Sequence, residues 1–249
     1  MSEAELNNEG PPEQEPTDEE VAEILSNGEI EVLGRMPWSS NATFLIEASL
    51  DDRSARAIYK PHAGERPLWD FPDGLWRREV AAHELSAHLG WEVVPLTIER
   101  DDMVHGMGSL QRFIDADFEE HYFTMLEEDS LHPQFVRMAA FDFVSNNADR
   151  KGGHCLIDSA QHVWGIDNGL SFHAEFKLRT VIWEFGGDPI PAELLEDLQR
   201  LVDDGLPPQF TKLLGAFERD ALLTRARALL REGVLPIDET GNRYPWPLV

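Results

Sequence analysis

The sequence is short of cysteine: Cys155 is the only one among 249 residues. A single cysteine excludes an intrachain disulfide and a zinc site built from several thiolates, and it is typical of a reducing compartment. Long apolar runs are missing as well. No segment has the roughly 20 apolar residues that a transmembrane helix needs, and the N-terminus lacks the pattern of a signal peptide. We therefore expect a cytoplasmic protein without a transmembrane segment.

Basic residues are also scarce. The chain has 21 Lys and Arg against 47 Asp and Glu, a formal net charge of -26. Such a charge repels nucleic acid and anionic bilayers, so we expect no nucleic-acid partner and no stable membrane binding. No Lys or Arg precedes Arg35, and residues 1–19 are rich in Glu, Pro and Asn. This composition predicts a disordered acidic tail.

The hydropathy pattern after the tail predicts an α+β fold with two lobes. A short helix from Glu20 should precede five antiparallel strands, for which the candidate segments are EIEVLGRM, NATFLIEASL, SARAIYKP, EVVPLTIE and SLQRFI. One main helix, WRREVAAHELSAHLG, interrupts them. The remainder is mostly helical and ends in two amphipathic helices, PAELLEDLQRLVDDG and PQFTKLLGAFERDALLTRARALLREG. We predict an N-terminal lobe over residues 20–115 and a helical lobe over residues 116–249.

Two aspartates stand on either side of a predicted hairpin. Asp149 and Asp167 are eighteen positions apart and flank the β-like runs CLI and HVWGI. Phosphoryl transfer needs one carboxylate that orients or deprotonates the acceptor and a second that holds Mg²⁺ on the ATP phosphates. We assign the first role to Asp149. Arg150 would neutralise charge or brace the loop, and Lys151 would contact the transferred phosphate.

Asp167 is the leading candidate for a metal ligand, because it ends a strand and is followed by Asn168 and Gly169. Kinases usually carry a metal-binding Asn five residues after the catalytic Asp, and here that position is His154. An imidazole binds Mn²⁺ better than Mg²⁺, which prefers oxygen. We expect His154 beside Asp167 as a second ligand; a hydrogen bond to Asp149 and a core position are the alternatives.

Lys60 stands out because the chain has only four lysines and this one ends a predicted strand. A lysine there can hold the α- and β-phosphates of ATP if a carboxylate from the next helix orients it. Glu79 and Glu84 both lie on that helix but face different directions, and we choose Glu79. The first strand connection, with Ser39, Ser40 and Asn41 at its tip, would be the phosphate loop, although it lacks the glycines of protein kinases.

These motifs resemble a known family. Asp149-Arg150 followed by a hairpin and IDNG is similar to the type II phosphatidylinositol 4-kinases, and Gln111 to Ile114 resembles their hinge. From about Gly28, the chain resembles an uncharacterised actinobacterial family grouped with phosphatidylinositol 3/4-kinase-like domains, through KPHAGERPLWDFPDG, REVAAHELS and NADRKGGH. The resemblance implies a two-lobed protein-kinase-like fold that binds ATP with Mg²⁺ or Mn²⁺, with Gln111 and Phe113 beside the adenine.

The stretch GERPLWDFPDG is specific to that second resemblance. It leads us to expect Trp69, Phe71 and Trp76 beside the nucleotide cleft, where they would cap the lobes or form an acceptor pocket. Packing in the core is the alternative.

Three functional hypotheses follow. The first is an ATP-dependent phosphotransferase whose acceptor is a small molecule or a protein rather than clearly a lipid. The second is a nucleotide-binding pseudokinase or regulatory module, which His154 and the unusual phosphate loop favour. The third is an AMP transferase, because a kinase-like fold can also bind ATP in the reversed orientation.

Overall fold

The computed structural model describes residues 16–36 and 41–249. The helices of these residues are α1 (Asp18–Asn27), α2 (Leu75–Leu89), α3 (Tyr122–Met125), α4 (His132–Ser145), α5 (Ala192–Asp204), α6 (Phe210–Leu213) and α7 (Ala216–Glu232). The strands are β1 (Glu29–Arg35), β2 (Phe44–Leu50), β3 (Arg53–Pro61), β4 (Thr97–Arg100), β5 (Gly108–Arg112), β6 (Cys155–Ile157) and β7 (Val163–Gly165). Strands dominate before residue 115 and helices after it, which confirms the predicted α+β fold.

The N-terminal part is a five-stranded antiparallel sheet with the strand order β1-β2-β3-β5-β4. Helix α1 packs on it, because Val21, Ile24 and Leu25 are buried in one cluster with side chains of β2 and β3. This small core holds the sheet rigid. Lys60 lies at the end of β3, and Gln111 lies at the end of β5.

Helix α1 begins earlier than predicted. Thr17 caps it through a reciprocal pair of bonds with Glu20, and Asp18 and Glu19 already belong to its first turn. Acidic residues are favourable there because the helix N-terminus carries a partial positive charge. The end of the predicted disordered tail is therefore helical, and residues 1–15 lie outside the described residues.

The fourth strand is shorter than predicted. The segment EVVPLTIE enters the sheet only at Thr97, because Val93 and Val94 donate their amides to the Ser86 hydroxyl at 2.8 and 3.2 Å instead of to a strand. Pro95 has no amide proton to contribute to a ladder. The first half of the segment therefore turns around the end of α2.

Helix α2 belongs to the larger core. Its buried residues, including Trp76, Val80 and Leu85, form one hydrophobic cluster with side chains from α4, α5 and α7. The helix thus lies between the lobes, although its sequence position is within the predicted N-terminal lobe. Its orientation depends on the helical lobe as much as on the sheet.

The last predicted helix is two helices. The chain is extended at Leu214 and Gly215, and the Gly215 amide donates to the Glu218 carboxylate at 2.7 Å, which starts α7. Local capping therefore interrupts an amphipathic pattern that is continuous in the sequence.

Helix α4 leads directly into the loop that carries Asp149. Asn146 ends the helix in the left-handed conformation (φ 58°), and its side-chain amide donates to the carbonyls of His173 and Glu175 at 2.9 and 2.7 Å. The hairpin β6–β7 follows and returns the chain to Asp167. None of the described helices combines the length and the apolar character needed to cross a bilayer.

The helical core should dominate the stability of the protein. Phe135 on α4 is fully buried, so Phe135→Ala should lower the free energy of unfolding by about 3–5 kcal/mol, the cost of lost burial plus a cavity. Phe217→Ala is the matched control, because that ring is 83% exposed, and it should change stability by less than about 0.5 kcal/mol. Denaturant unfolding measures both. Equal losses would contradict this assignment of the core.

Candidate functional site

Lys60 and Glu79 meet at the junction of the sheet, α2 and the loop after β7. The Lys60 ammonium donates to one oxygen of the Glu79 carboxylate. The other oxygen accepts the Asn168 amide at 2.9 Å. Glu84 faces away and accepts a hydrogen bond from Gln209. Glu79, the carboxylate chosen from the sequence, is thus the one that contacts Lys60.

Asp167 is held opposite the same lysine. Its Oδ1 lies 2.8 Å from the Lys60 ammonium, and its backbone is left-handed, with φ 57°. The nearby Lys60 charge outweighs desolvation and keeps the pKa of Asp167 well below its usual value. Burial lowers the pKa of Lys60, but the carboxylates of Asp167 and Glu79 outweigh it and keep the pKa above the usual value. Burial raises the pKa of Glu79.

His154 lies beside Asp167, with Nε2 3.4 Å from Oδ2. Burial lowers the pKa of His154 to about 4, so the imidazole is neutral at pH 7. Its Nδ1 accepts the Lys151 amide at 3.4 Å, and a metal beside Asp167 would need the other tautomer, with Nε2 unprotonated. Asp167 is about half exposed, so its carboxylate is accessible from the cleft. A carboxylate with a neutral imidazole fits Mn²⁺, and the carboxylate also fits Mg²⁺.

Asp149 stands at the edge of the same cleft. Burial raises the pKa of its carboxylate, while the Lys151 ammonium, 3.1 Å from Oδ2, opposes this shift. A raised pKa makes a carboxylate a better proton acceptor. The Lys151 side chain beside it is partly exposed to solvent.

Arg150 does not face the cleft. Its guanidinium is fully buried and pairs with Asp142 of α4 at 3.0 Å. It also donates to the Ile166 carbonyl and to the Asn168 side chain, both at 2.7 Å. Of the two roles expected from the sequence, bracing the loop agrees with this position. Its assignment as a residue of the reaction itself needs correction, because a fully buried guanidinium cannot contact a substrate.

Two cavities meet at Thr43, Lys60 and Asp167. The first, of about 270 Å³, extends past Asp149 toward α2 and is lined by Asn41, Ala42, Thr43, Lys60, Pro61, Glu65, Arg66, Leu68, Leu75, Trp76, Glu79, Asp149, Asp167, Gly169 and Leu170. The second, of about 210 Å³, lies under the sheet and is lined by Met36, Thr43, Ile58, Lys60, Gln111, Arg112, Phe113, Ile114, Phe118, His154, Leu156, Ile166 and Asp167. The shared residues connect the mostly apolar second cavity with the first, which has the larger share of polar lining and is here called the polar cavity.

The residues expected beside an adenine line the second cavity. Gln111 donates to the Thr97 hydroxyl at 3.0 Å, and the guanidinium of Arg56 lies over the Phe113 ring at 4.8 Å. Of the expected phosphate loop, Ser39 and Ser40 lie outside the described residues. Asn41 lines the first cavity and accepts the amide of Arg66 at 3.0 Å.

The three aromatic residues singled out in the sequence take different positions. Trp76 is buried and lines the first cavity. Phe71 packs edge-on against His173, with ring centroids 5.2 Å apart. Trp69 is 96% exposed. Trp76 alone thus borders the cleft, while Phe71 joins the two lobes.

The sequence interpretation missed several residues of the site. Asp142 supplies the buried charge that pairs with Arg150, and Arg66 lines the polar cavity. The only sequence signal for Asp142 is its polarity within the apolar helix PQFVRMAAFDFVSN. A second possible metal cluster, His62 with Glu65 and Asp73, also escaped notice. Its Glu65 carboxylate already accepts the amides of Gly74 and Trp76 at the start of α2.

Comparison with known proteins agrees with this architecture. No protein-family model matches the chain. The structure of hydra Fam20 with sugar aligns with 87% of this chain and 88% of its own at a TM-score of 0.59 and 11% identity. The Helicobacter pylori proinflammatory kinase CtkA covers 85% of this chain and 94% of its own at a TM-score of 0.48 and 14% identity. The alignment with the hydra Fam20 structure, which has the higher TM-score of the two, supports the predicted kinase-like α+β fold.

At the sequence level, Protein Rv2133c of Mycobacterium tuberculosis (strain ATCC 25618 / H37Rv) is 41% identical over 261 residues, covering 90% of this chain and 94% of the relative. The chain belongs to the same family as that protein.

The buried pair of Asp142 and Arg150 should be essential for folding. Asp142→Leu leaves the Arg150 charge unpaired in the core and should cost about 3–5 kcal/mol in the free energy of unfolding. Adding Arg150→Met removes the orphan charge, so the double variant should be at least about 0.5 kcal/mol more stable than the sum of the single effects predicts. Chemical denaturation of the three variants measures this coupling. Strict additivity would show that the pair does not act as a unit.

Proposed function

We propose that the protein is an ATP-dependent phosphotransferase. The observation that carries the proposal is the junction of the two cavities at Lys60 and Asp167, with Asp149 in the polar cavity. An adenine fits the apolar cavity beside Gln111 and Phe113, and its triphosphate then extends past Lys60. This arrangement supplies separate places for nucleotide, metal and acceptor.

Each side chain has a distinct role in this proposal. Lys60 holds the α- and β-phosphates, and Glu79 keeps the lysine in position through the contact between them. Asp167 and His154 would hold the divalent cation, Mg²⁺ or Mn²⁺, which would neutralise phosphate charge. Asn41, which lines the first cavity, lies on the phosphate side.

In the transfer step, the acceptor hydroxyl oxygen bonds to the γ-phosphorus while the bond from that phosphorus to the ADP oxygen breaks. The hydroxyl proton passes to the Asp149 carboxylate, whose raised pKa suits a proton acceptor. Lys151, 3.1 Å from Asp149, stabilises the charge on the transferred group. Arg150 is a positioning residue that keeps this loop in register with Asn168.

A nucleotide-binding module without transfer is the second candidate. His154 favours it, because this nitrogen ligand replaces the oxygen ligand that Mg²⁺ prefers. AMP transfer stays open as a third outcome of the same assay. The likeness to type II phosphatidylinositol 4-kinases remains a prediction, and a net charge of -26 disfavours an inositol lipid in an anionic bilayer.

The first test follows label from γ-labelled and, in parallel, α-labelled ATP in the presence of Mg²⁺ or Mn²⁺. We expect metal-dependent release or transfer of the γ-label, reduced about 100-fold or more by Asp167→Ala, which removes the main metal ligand. Asp203→Ala is the control, since Asp203 is exposed on α5. Chelation of the metal should abolish the reaction. Transfer of the α-label would instead establish an AMP transferase, and ATP binding without either reaction would favour the binding module.

A second test separates two glutamates of one helix. Glu79→Gln weakens the hold on Lys60 and should lower kcat/KM for ATP about 10- to 100-fold, because a misplaced phosphate ligand reduces the rate steeply. Glu84→Gln changes the same residue type five positions later, where the side chain contacts Gln209 outside the cleft. It should leave kcat/KM within about twofold of wild type. Similar losses in both variants would contradict the assigned role of Glu79.

A further inference from the structure

Residues 65–73, here called the strap, connect the end of the sheet with α2. On the sheet side, the Arg66 amide donates to the Asn41 side chain at 3.0 Å. The Glu65 carboxylate accepts the amides of Gly74 and Trp76 at 3.2 and 2.7 Å. The first half of the strap is therefore tied both to the strand connection and to the start of α2.

The other half of the strap is tied to the helical lobe. Asp70 pairs with Lys177 at 3.1 Å. Phe71 packs edge-on against His173, and the Lys177 ammonium lies 5.5 Å from the centre of the Phe71 ring. Lys177 and His173 belong to the segment that follows Asp167. The strap thus crosses from one lobe to the other beside the polar cavity.

The strap forms a wall of that cavity. Glu65, Arg66 and Leu68 line it on one side, and Asp149 lines it as well. In a kinase, the acceptor enters at this end of the cleft, beyond the γ-phosphate. A polypeptide acceptor needs an open groove here, whereas the strap leaves a bounded space of about 270 Å³.

The polar groups around the cavity differ in whether they already have partners. Glu79 is bonded to Lys60, Glu65 to two backbone amides, and Asp149 to Lys151. Within residues 16–36 and 41–249, the Arg66 guanidinium has no ion-pair partner. The buried Nε1 of Trp76 likewise lacks a hydrogen bond among these residues. The groups without partners are both donors, and one is cationic.

We propose that the acceptor is a small hydroxylated molecule with an anionic group, bound under the strap, rather than a protein. Arg66 pairs with the carboxylate or phosphate of this molecule, and its hydroxyl faces Asp149. A buried donor without a partner is costly, so an acceptor atom that reaches Trp76 Nε1 gains affinity. Leu68 and Leu75 contact the carbon skeleton. This inference rests on the proposed phosphotransferase function.

The test offers γ-labelled ATP and Mn²⁺ to the full chain with two sets of acceptors. One set consists of the polypeptides casein and myelin basic protein. The other is the small-molecule filtrate of a cell extract, divided by an anion exchanger into bound and unbound pools. We expect label on compounds of the anion-bound pool. Label on the polypeptides or on the unbound pool would overturn the inference, as would hydrolysis of ATP without label in any pool.

Substitutions test whether Arg66 of the strap binds the acceptor. Arg66→Gln should raise the amount of anionic pool needed for half-maximal transfer about tenfold, the value of one charge-assisted hydrogen bond, and change the KM for ATP much less. Arg227→Gln on the exposed face of α7 is the control and should match wild type. An unchanged requirement in Arg66→Gln, or an equal rise in the KM for ATP, would contradict binding of the acceptor by Arg66.

Phosphatase treatment of the anionic pool before the assay identifies the anionic group. Loss of acceptor activity means a phosphate, and retention means a carboxylate; both agree with the inference. A failure of the phosphotransferase proposal would give a different assay result. If wild-type protein neither hydrolyses ATP nor transfers label to any pool, the phosphotransferase proposal itself falls.

Discussion

The contact between Glu79 and Lys60 is the constraint on which the arrangement of the cleft depends. One carboxylate contacts the end of β3 through Lys60 and the loop after β7 through the Asn168 amide. The Asn168 side chain accepts a hydrogen bond from Arg150, which in turn pairs with Asp142 of α4. A continuous set of polar contacts therefore joins the sheet, α2 and α4. Because its inner members are buried, losing one leaves an unpaired charge where water cannot replace it.

The packing of α2 explains how this contact is kept in place. Side chains of α2 share a core with α4, α5 and α7, and α2 also contacts β4 and β5, so the helix that carries Glu79 is supported by both the helical lobe and the sheet. The strap adds a second connection through Asp70 and Lys177. The shared core and the Asp70–Lys177 pair thus provide two links to the helical lobe beside the polar cavity.

The charge distribution is consistent with this division. The chain is strongly acidic, and the polar cavity brings together Lys60 and Arg66 with four carboxylates, each of which has a cationic neighbour or amide donors. Asp167 is the carboxylate most accessible from the cleft, and its lowered pKa keeps it ionised. Arg66 has no ion-pair partner among residues 16–36 and 41–249, so binding of a small anion in this cavity would depend on its guanidinium.

The sequence by itself determined the order of sheet and helices and the positions of Lys60, Asp149 and Asp167, since these follow from local periodicity and from motifs with fixed spacing. Helix geometry indicated that only one of Glu79 and Glu84 could face Lys60, and the resemblance to kinase-like families favoured Glu79. Only the tertiary structure decided that Arg150 lies beneath its loop, that α2 joins the helical core and that the strap crosses to Lys177. These features depend on contacts between residues far apart in the chain, and no local pattern specifies which distant partner a buried charge or ring will meet.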